Sequence, residues 1–226
     1  MLTYDEIDAI FETDRVKEAY DELKKRYNEG ERSVDLLWRL ARLCHEVAYR
    51  SPKNIRKELI FEGKDYACEA HAIDANHFEA VRWAAILTGQ STDYLGTKEK
   101  IEQGGHFKNL LDEALAMEPN EFSLLHLRGR FNFTIANLSW LERKAATMLY
   151  SAPPKATIEE ALEDFEAAYH LQSDWLENLY YLAKCLQIKG EKNKAKKYLN
   201  EALALPTESD VERELIGEAR HLLGKC

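Results

Sequence analysis

Apolar and small residues recur along this chain every three or four positions, the spacing of one buried helix face. The clearest stretch runs from Leu176 to Pro206, with Leu179, Leu182-Ala183 and Leu186, a glycine at 190, then Ala195, Leu199 and Ala202-Leu203. It predicts two antiparallel helices joined at Gly190 and stopped by proline. Similar pairs are expected upstream. The first covers about 3–12 and 14–28, with Asp14 as N-cap, Ala19 and Leu23 inside, and Asn28-Glu29-Gly30 as the stop. The second opens at Ser33, carries Leu37, Leu40-Ala41 and Cys44, breaks at Ser51-Pro52 and resumes with Gly63, Ala67 and Ala70. The third starts at Phe78 with Val81 and Ala84-Ala85. A loop is expected at Gly89–Gly96, and a helix with Phe107, Leu111 and Ala114-Leu115 ends at Pro119. In the fourth, one long helix from Leu125 is predicted to run through Trp140 to Tyr150. It breaks at Ala152-Pro153-Pro154 and restarts at a Thr157 cap, with Ala161, Phe165 and Ala168. A closing helix over about 209–223 places Val211, Leu215, Ala219 and Leu222-Leu223 on one side.

The Leu176–Pro206 pair resembles the tetratricopeptide (TPR) helix-turn-helix, whose period is about 34 residues. The equivalent second-helix alanines, Ala70, Ala114, Ala168 and Ala202, lie 44, 54 and 34 residues apart. Only the last interval matches. The others imply insertions of about 10 and 20 residues between the helices of a unit. Stacked units share interfaces, and no linker-like stretch divides them. The expectation is therefore one all-α, TPR-like helical-hairpin solenoid over 1–226 with inserted longer helices. Its pairs cover about 3–28, 33–75, 78–118, 122–173 and 175–206, and the closing helix is a solvent-facing cap.

Composition narrows the function. A chain of 226 residues with 45% hydrophobic content can bury a sizeable core, and ten glycines and five prolines are few for an all-β protein. The formal charge of −9 argues against nucleic acid as a partner across the surface. Cys44, Cys68, Cys185 and Cys226 form no CxxC pair, which points to free thiols in a reducing compartment and to no metal site. No run approaches about 18 apolar residues, and 1–14 carry no apolar signal core, so no membrane attachment is expected. There is no Walker loop, dinucleotide glycine pattern or HExxH, and none of the usual cofactors is implied. Gly104-Gly105-His106 is expected to end or interrupt a helix. An enzyme is not expected.

Several stretches carry a closer likeness. Leu36–Arg42 (Leu-Leu-Trp-Arg-Leu-Ala-Arg), Asp74-Ala-Asn76, Arg128-Gly-Arg-Phe131, Ser151-Ala-Pro-Pro154 and Leu179-Tyr-Tyr-Leu-Ala-Lys184 resemble the regulator of microtubule dynamics protein family over nearly the whole chain. The resemblance implies a TPR-like fold, association with tubulin, microtubules or other spindle proteins, and a place in the cytoplasm on the microtubule cytoskeleton. It brings no catalytic motif and no short tubulin-contact motif. Some relatives carry an N-terminal membrane anchor; this sequence shows none, so membrane attachment is not carried over.

In stacked TPR units the first helices line a concave groove. Aligning the paired slots places Arg42, Ile86, Arg130 and Lys184 in one groove row, and Trp38, Arg82, His126 and Tyr180 one turn earlier. Every unit thus offers a cation, with aromatics beside two of them. One reading is a basic, aromatic-lined groove that grips an acidic peptide, the tubulin C-terminal tail included, through bidentate Arg–carboxylate contacts. The other is ordinary exposed charge with core aromatics, Trp38 above all. A second basic patch, on the convex side, comprises Lys189, Lys192, Lys194, Lys196 and Lys197, opposed by Glu191 alone; such runs are also simply solvated helix faces. The Glu159, Glu160, Glu163, Asp164 and Glu166 cluster is explained by the helix dipole. The rival function is a general TPR adaptor or co-chaperone scaffold for a peptide of a non-tubulin partner. The groove offers mostly Arg, Trp, Tyr and His, whereas the usual acidic-tail clamp needs Lys and Asn.

Overall fold

A computed structural model describes residues 2–11, 13, 15–149 and 155–226. The Asp14 cap, Tyr150 and the Ser151–Pro154 break lie outside them. Among the described residues the chain is all-helical: α1 (Tyr4–Ile10), α2 (Val16–Asn28), α3 (Val34–Tyr49), α4 (Lys53–Ile73), α5 (Phe78–Ser91), α6 (Thr97–Met117), α7 (Phe122–Ala136), α8 (Trp140–Leu149), α9 (Ile158–Leu171), α10 (Leu176–Ile188), α11 (Lys192–Ala204) and α12 (Asp210–Leu223). Local signals set many of these ends. The Ser33 hydroxyl accepts from the Leu36 amide, and Thr157–Glu160 and Ser209–Glu212 form reciprocal capping boxes. Gly30 and Gly190 adopt φ of 105° and 78°, the left-handed turn that ends α2 and α10.

α3/α4, α5/α6, α7/α9 and α10/α11 pack as helix pairs. α3, α5, α7 and α10 adjoin one another in series and make the inner layer. The small residues of the repeat let the layers close. A Cβ on Gly63 would come within 2.7 Å of the Cys44 Cβ, and one on Gly129 within 2.8 Å of the Phe165 ring. One apolar cluster extends from Ile7 to Ile135 and takes in Ala168; a second joins Phe165 with Leu182, Leu186 and Leu199.

Three expectations change. The long helix from Leu125 is two helices, because α7 stops at Ala136 and a Ser139–Glu142 contact starts α8 afresh. The Gly89–Gly96 loop is mostly helical: α5 continues to Ser91 and a 3-10 turn follows at Thr92–Tyr94. Gly104-Gly105-His106 does not interrupt α6, which runs through it and is anchored beyond it by buried Phe107, Leu110 and Leu111. α12 packs on α11 and α10 as a cap would. It also turns a second side toward the inner layer.

Candidate functional site: the concave groove

A cavity of about 570 Å³ opens on the inner layer, walled by α3, α5 and α7, by Arg56 and Ile60 of α4, and by Trp175 and α12. Arg42, Arg82, His126 and Arg130 line it; Trp38, Tyr180 and Lys184 do not.

The cations differ in how they are held. Arg42 is half-buried, its guanidinium 3.6 Å from the centre of the Phe11 ring. Burial pushes its pKa down and Glu46 pulls it back. Arg82 pairs with Glu121 at 3.1 Å and Glu79 at 3.3 Å, and Glu79 also accepts from the Trp83 indole at 3.1 Å. Arg130 lies between Glu177 and Asp93, each at 2.9 Å, with Tyr181 beneath it. Burial works against its charge, but the neighbouring carboxylates outweigh it and raise the pKa. The reciprocal effect is larger in consequence: burial would lift the Glu177 carboxyl, yet Arg130 holds it down to about 2.

The aromatics mostly belong to the core. Trp38 is 7% exposed, stacked on the Arg39 guanidinium at 4.2 Å. It sits one turn before Arg42, but its ring turns inward. His126 is 1% exposed. Its Nδ1 lies 2.9 Å from the Asn178 Oδ1, and the Asn178 amide donates to the Phe165 carbonyl. That second bond orients Asn178 with its oxygen toward the ring, so Nδ1 carries the proton. Tyr180 is buried, and burial, with Glu218 of α12 nearby, raises its pKa. Lys184 lies 5.1 Å or less from the ring centres of Phe133, Tyr180 and Tyr181, and burial lowers its pKa.

Pattern reading missed the acidic half of the site. Glu46, Asp93, Glu177, Glu214 and Glu218 line the same cavity as Arg42, Arg56, Arg82 and Arg130. The groove is charge-interleaved, not uniformly basic. Arg56 was outside the first-helix slots because it comes from α4. Glu177, however, lies three residues before Tyr180 on the groove helix α10, and that spacing was a usable signal.

The convex lysines are largely partnered too. Lys189 pairs with Glu159 at 2.7 Å, Lys194 with Glu191 at 2.5 Å and Lys197 with Glu201 at 3.8 Å, so Glu191 does not oppose them alone. Lys192 points its ammonium at the Lys225 carbonyl, 3.4 Å away, and Lys196 is exposed. In the acidic cluster, Asp164 is buried and receives Arg128 and Asn132 from α7, which the dipole argument did not foresee. Among the described residues no helix is long and apolar enough to cross a membrane.

Layered helix pairs around a lined concave face define a TPR-like helical-hairpin protein. Two solved MamA structures share that fold. MamA AMB-1 gives a TM-score of 0.53 at 14% identity, covering 89% of this chain and 96% of that one. MamA MSR-1 C2 gives 0.51 at 14% identity, covering 96% of each. The family described as Regulator of microtubule dynamics protein 1-3 matches residues 3–226, and the chain belongs to it. It is 49% identical over 219 residues to Regulator of microtubule dynamics protein 1 of Caenorhabditis elegans, covering 97% of both chains. Against the Pongo abelii protein 1 it is 31% identical over 222 residues, covering 97% of this chain and 70% of that one. Against protein 3 of Rattus norvegicus it is 32% identical, covering 84% of this chain and 42% of the relative.

Proposed function

We propose that this chain is a non-enzymatic, microtubule-associated scaffold of the cytoplasm and spindle that influences microtubule dynamics, and that it grips an acidic segment such as a tubulin tail in its concave groove. The names of its relatives support the cytoskeletal part. The observation that carries the groove is the convergence of Arg42, Arg82 and Arg130 from three successive inner helices on one cavity. Arg42 is the member that no ion pair of 4 Å or less engages among the described residues, so it is the cation most available to a carboxylate.

The test is co-sedimentation with microtubules before and after proteolytic removal of the tubulin tails. Loss of binding with the tails, and with Arg42→Glu in a variant of unchanged helical circular dichroism, is the expected result. Binding that survives both changes rejects the groove and moves the contact to the lattice and the convex lysines. A second reading, an adaptor for a peptide of a non-tubulin partner, is favoured by the interleaved carboxylates, which suit a mixed-charge ligand better than a purely acidic one. Competition by an isolated tubulin tail peptide separates the two.

A further inference from the structure

The concave cavity is walled in part by the chain's own acidic helix. α12 presents Val211, Glu214, Leu215 and Glu218 to it. These positions share one helix face, since they are three or four residues apart. Glu214 reaches Arg56 at 3.4 Å across a separation of 158 residues. Beside burial, Glu218 faces Tyr180 closely enough to help raise its pKa, and Glu212 does the same at Tyr49. An amphipathic segment with carboxylates one turn apart thus lies where an acidic ligand would enter.

Its hold is incomplete. Arg56 is 7% exposed; its Nε donates to the Ser51 carbonyl at 2.8 Å, but its Nη2 finds no partner among the described residues. Glu214 meets it only at the long end of hydrogen bonding and keeps 53% of its side chain exposed. A buried donor left unpaired is costly, so a better-placed carboxylate at Arg56 would be favoured. Within α12 only Ile216 and Ala219 are buried. Gly217 stands in its middle, where a Cβ would meet nothing within 4 Å. Packing does not require that glycine, and it weakens the helix.

We propose that α12 is an internal occupant of the groove, and that the partner segment which displaces it is an acidic amphipathic one, placing carboxylates at Arg56 and Arg42 and apolar side chains on the Trp83–Ile86 wall. This rests on the groove being the partner site, and adds what must leave it and what form the partner takes. The intact chain is titrated with a glutamate-rich synthetic peptide carrying leucines four residues apart, and amide hydrogen exchange is followed by mass spectrometry. On binding, α12 amides are expected to exchange faster and those of α3 and α5 more slowly. The double variant E214Q/E218Q, which removes the α12 carboxylates, the one at Arg56 included, and leaves every groove arginine in place, is expected to bind about threefold or more tighter and to show faster α12 exchange. Peptide binding with α12 exchange unchanged or slowed overturns the displacement while leaving the groove as the partner site. Binding by the double variant alone supports the displacement when α12 exchange rises with it, and overturns it when α12 exchange stays unchanged, since the lost carboxylates then act by charge alone. Binding by neither chain overturns the groove reading and the displacement together.

Discussion

Glu177 shows how one side chain can decide the electrostatics of the groove. It is an ordinary polar residue of a helix by sequence, yet it sits 2.9 Å from Arg130 and 3.8 Å from the His126 Nε2. Its carboxyl is held down to about 2, well below the ordinary carboxylate range, against the effect of burial and chiefly by Arg130. A depressed carboxyl contributes stability that is present above the unfolded pKa and lost as pH falls through the folded one. Glu177→Gln is therefore expected to lower stability at neutral pH by up to about 2 kcal/mol, a figure discounted because a third of the side chain meets solvent. Thermal melts from pH 5 to pH 2 check this: wild type should lose more stability than the variant across that window, so the two curves converge at the acid end. Trp38 teaches the complementary lesson. It shares the row of Arg82, His126 and Tyr180, but a ring of its size is held in the core, and the groove keeps the neighbouring Arg42 instead.

At the scale of elements, glycines and caps carry the argument. Gly129 allows α7 and α9 to meet, since the Phe165 ring occupies the space a Cβ would need, at 2.8 Å. Gly129→Ala is expected to force that aromatic ring aside and cost about 1–3 kcal/mol, read as a lower denaturation midpoint with unchanged m-value. Gly217 is the opposite case. With open space around its absent Cβ, Gly217→Ala should strengthen α12 by roughly 1 kcal/mol and slow amide exchange there. Several helix starts were legible beforehand: Ser33 and Thr157 cap where the pattern places them, and the closing helix begins next to Ser209. The Gly104-Gly105 pair was misread because glycine's propensity cost is small beside the burial of Phe107, Leu110 and Leu111 on the same helix.

For the molecule as a whole, the stack passes its packing from neighbour to neighbour. Leu199 of α11 is fully buried in the cluster shared by α9, α10, α11 and α12, apart from the cluster that holds α3 to α6. Leu199→Ala should cost about 2–5 kcal/mol locally. Because repeat stability is a sum of nearest-neighbour interfaces, hydrogen exchange should rise in α9–α12 well before it rises in α3 and α4. A uniform rise across all helices would show instead that the chain unfolds as one cooperative unit.

The amino-acid sequence by itself determined the helical period, the cap signals, the small residues where helices approach, and the row of cations on the inner helices. These are local properties, written within three or four residues of one another, and helix geometry converts them directly into faces. Only the tertiary structure decided which way each of those faces turned and what met it. A shift of one position rotates a side chain by about 100° around the helix, enough to carry Trp38 from groove to core. The long-range carboxylates that answer Arg82 and Arg130, and the α12 helix that leans on Arg56 from 158 residues away, meet their arginines only on closure of the stack, a pairing that no local spacing encodes.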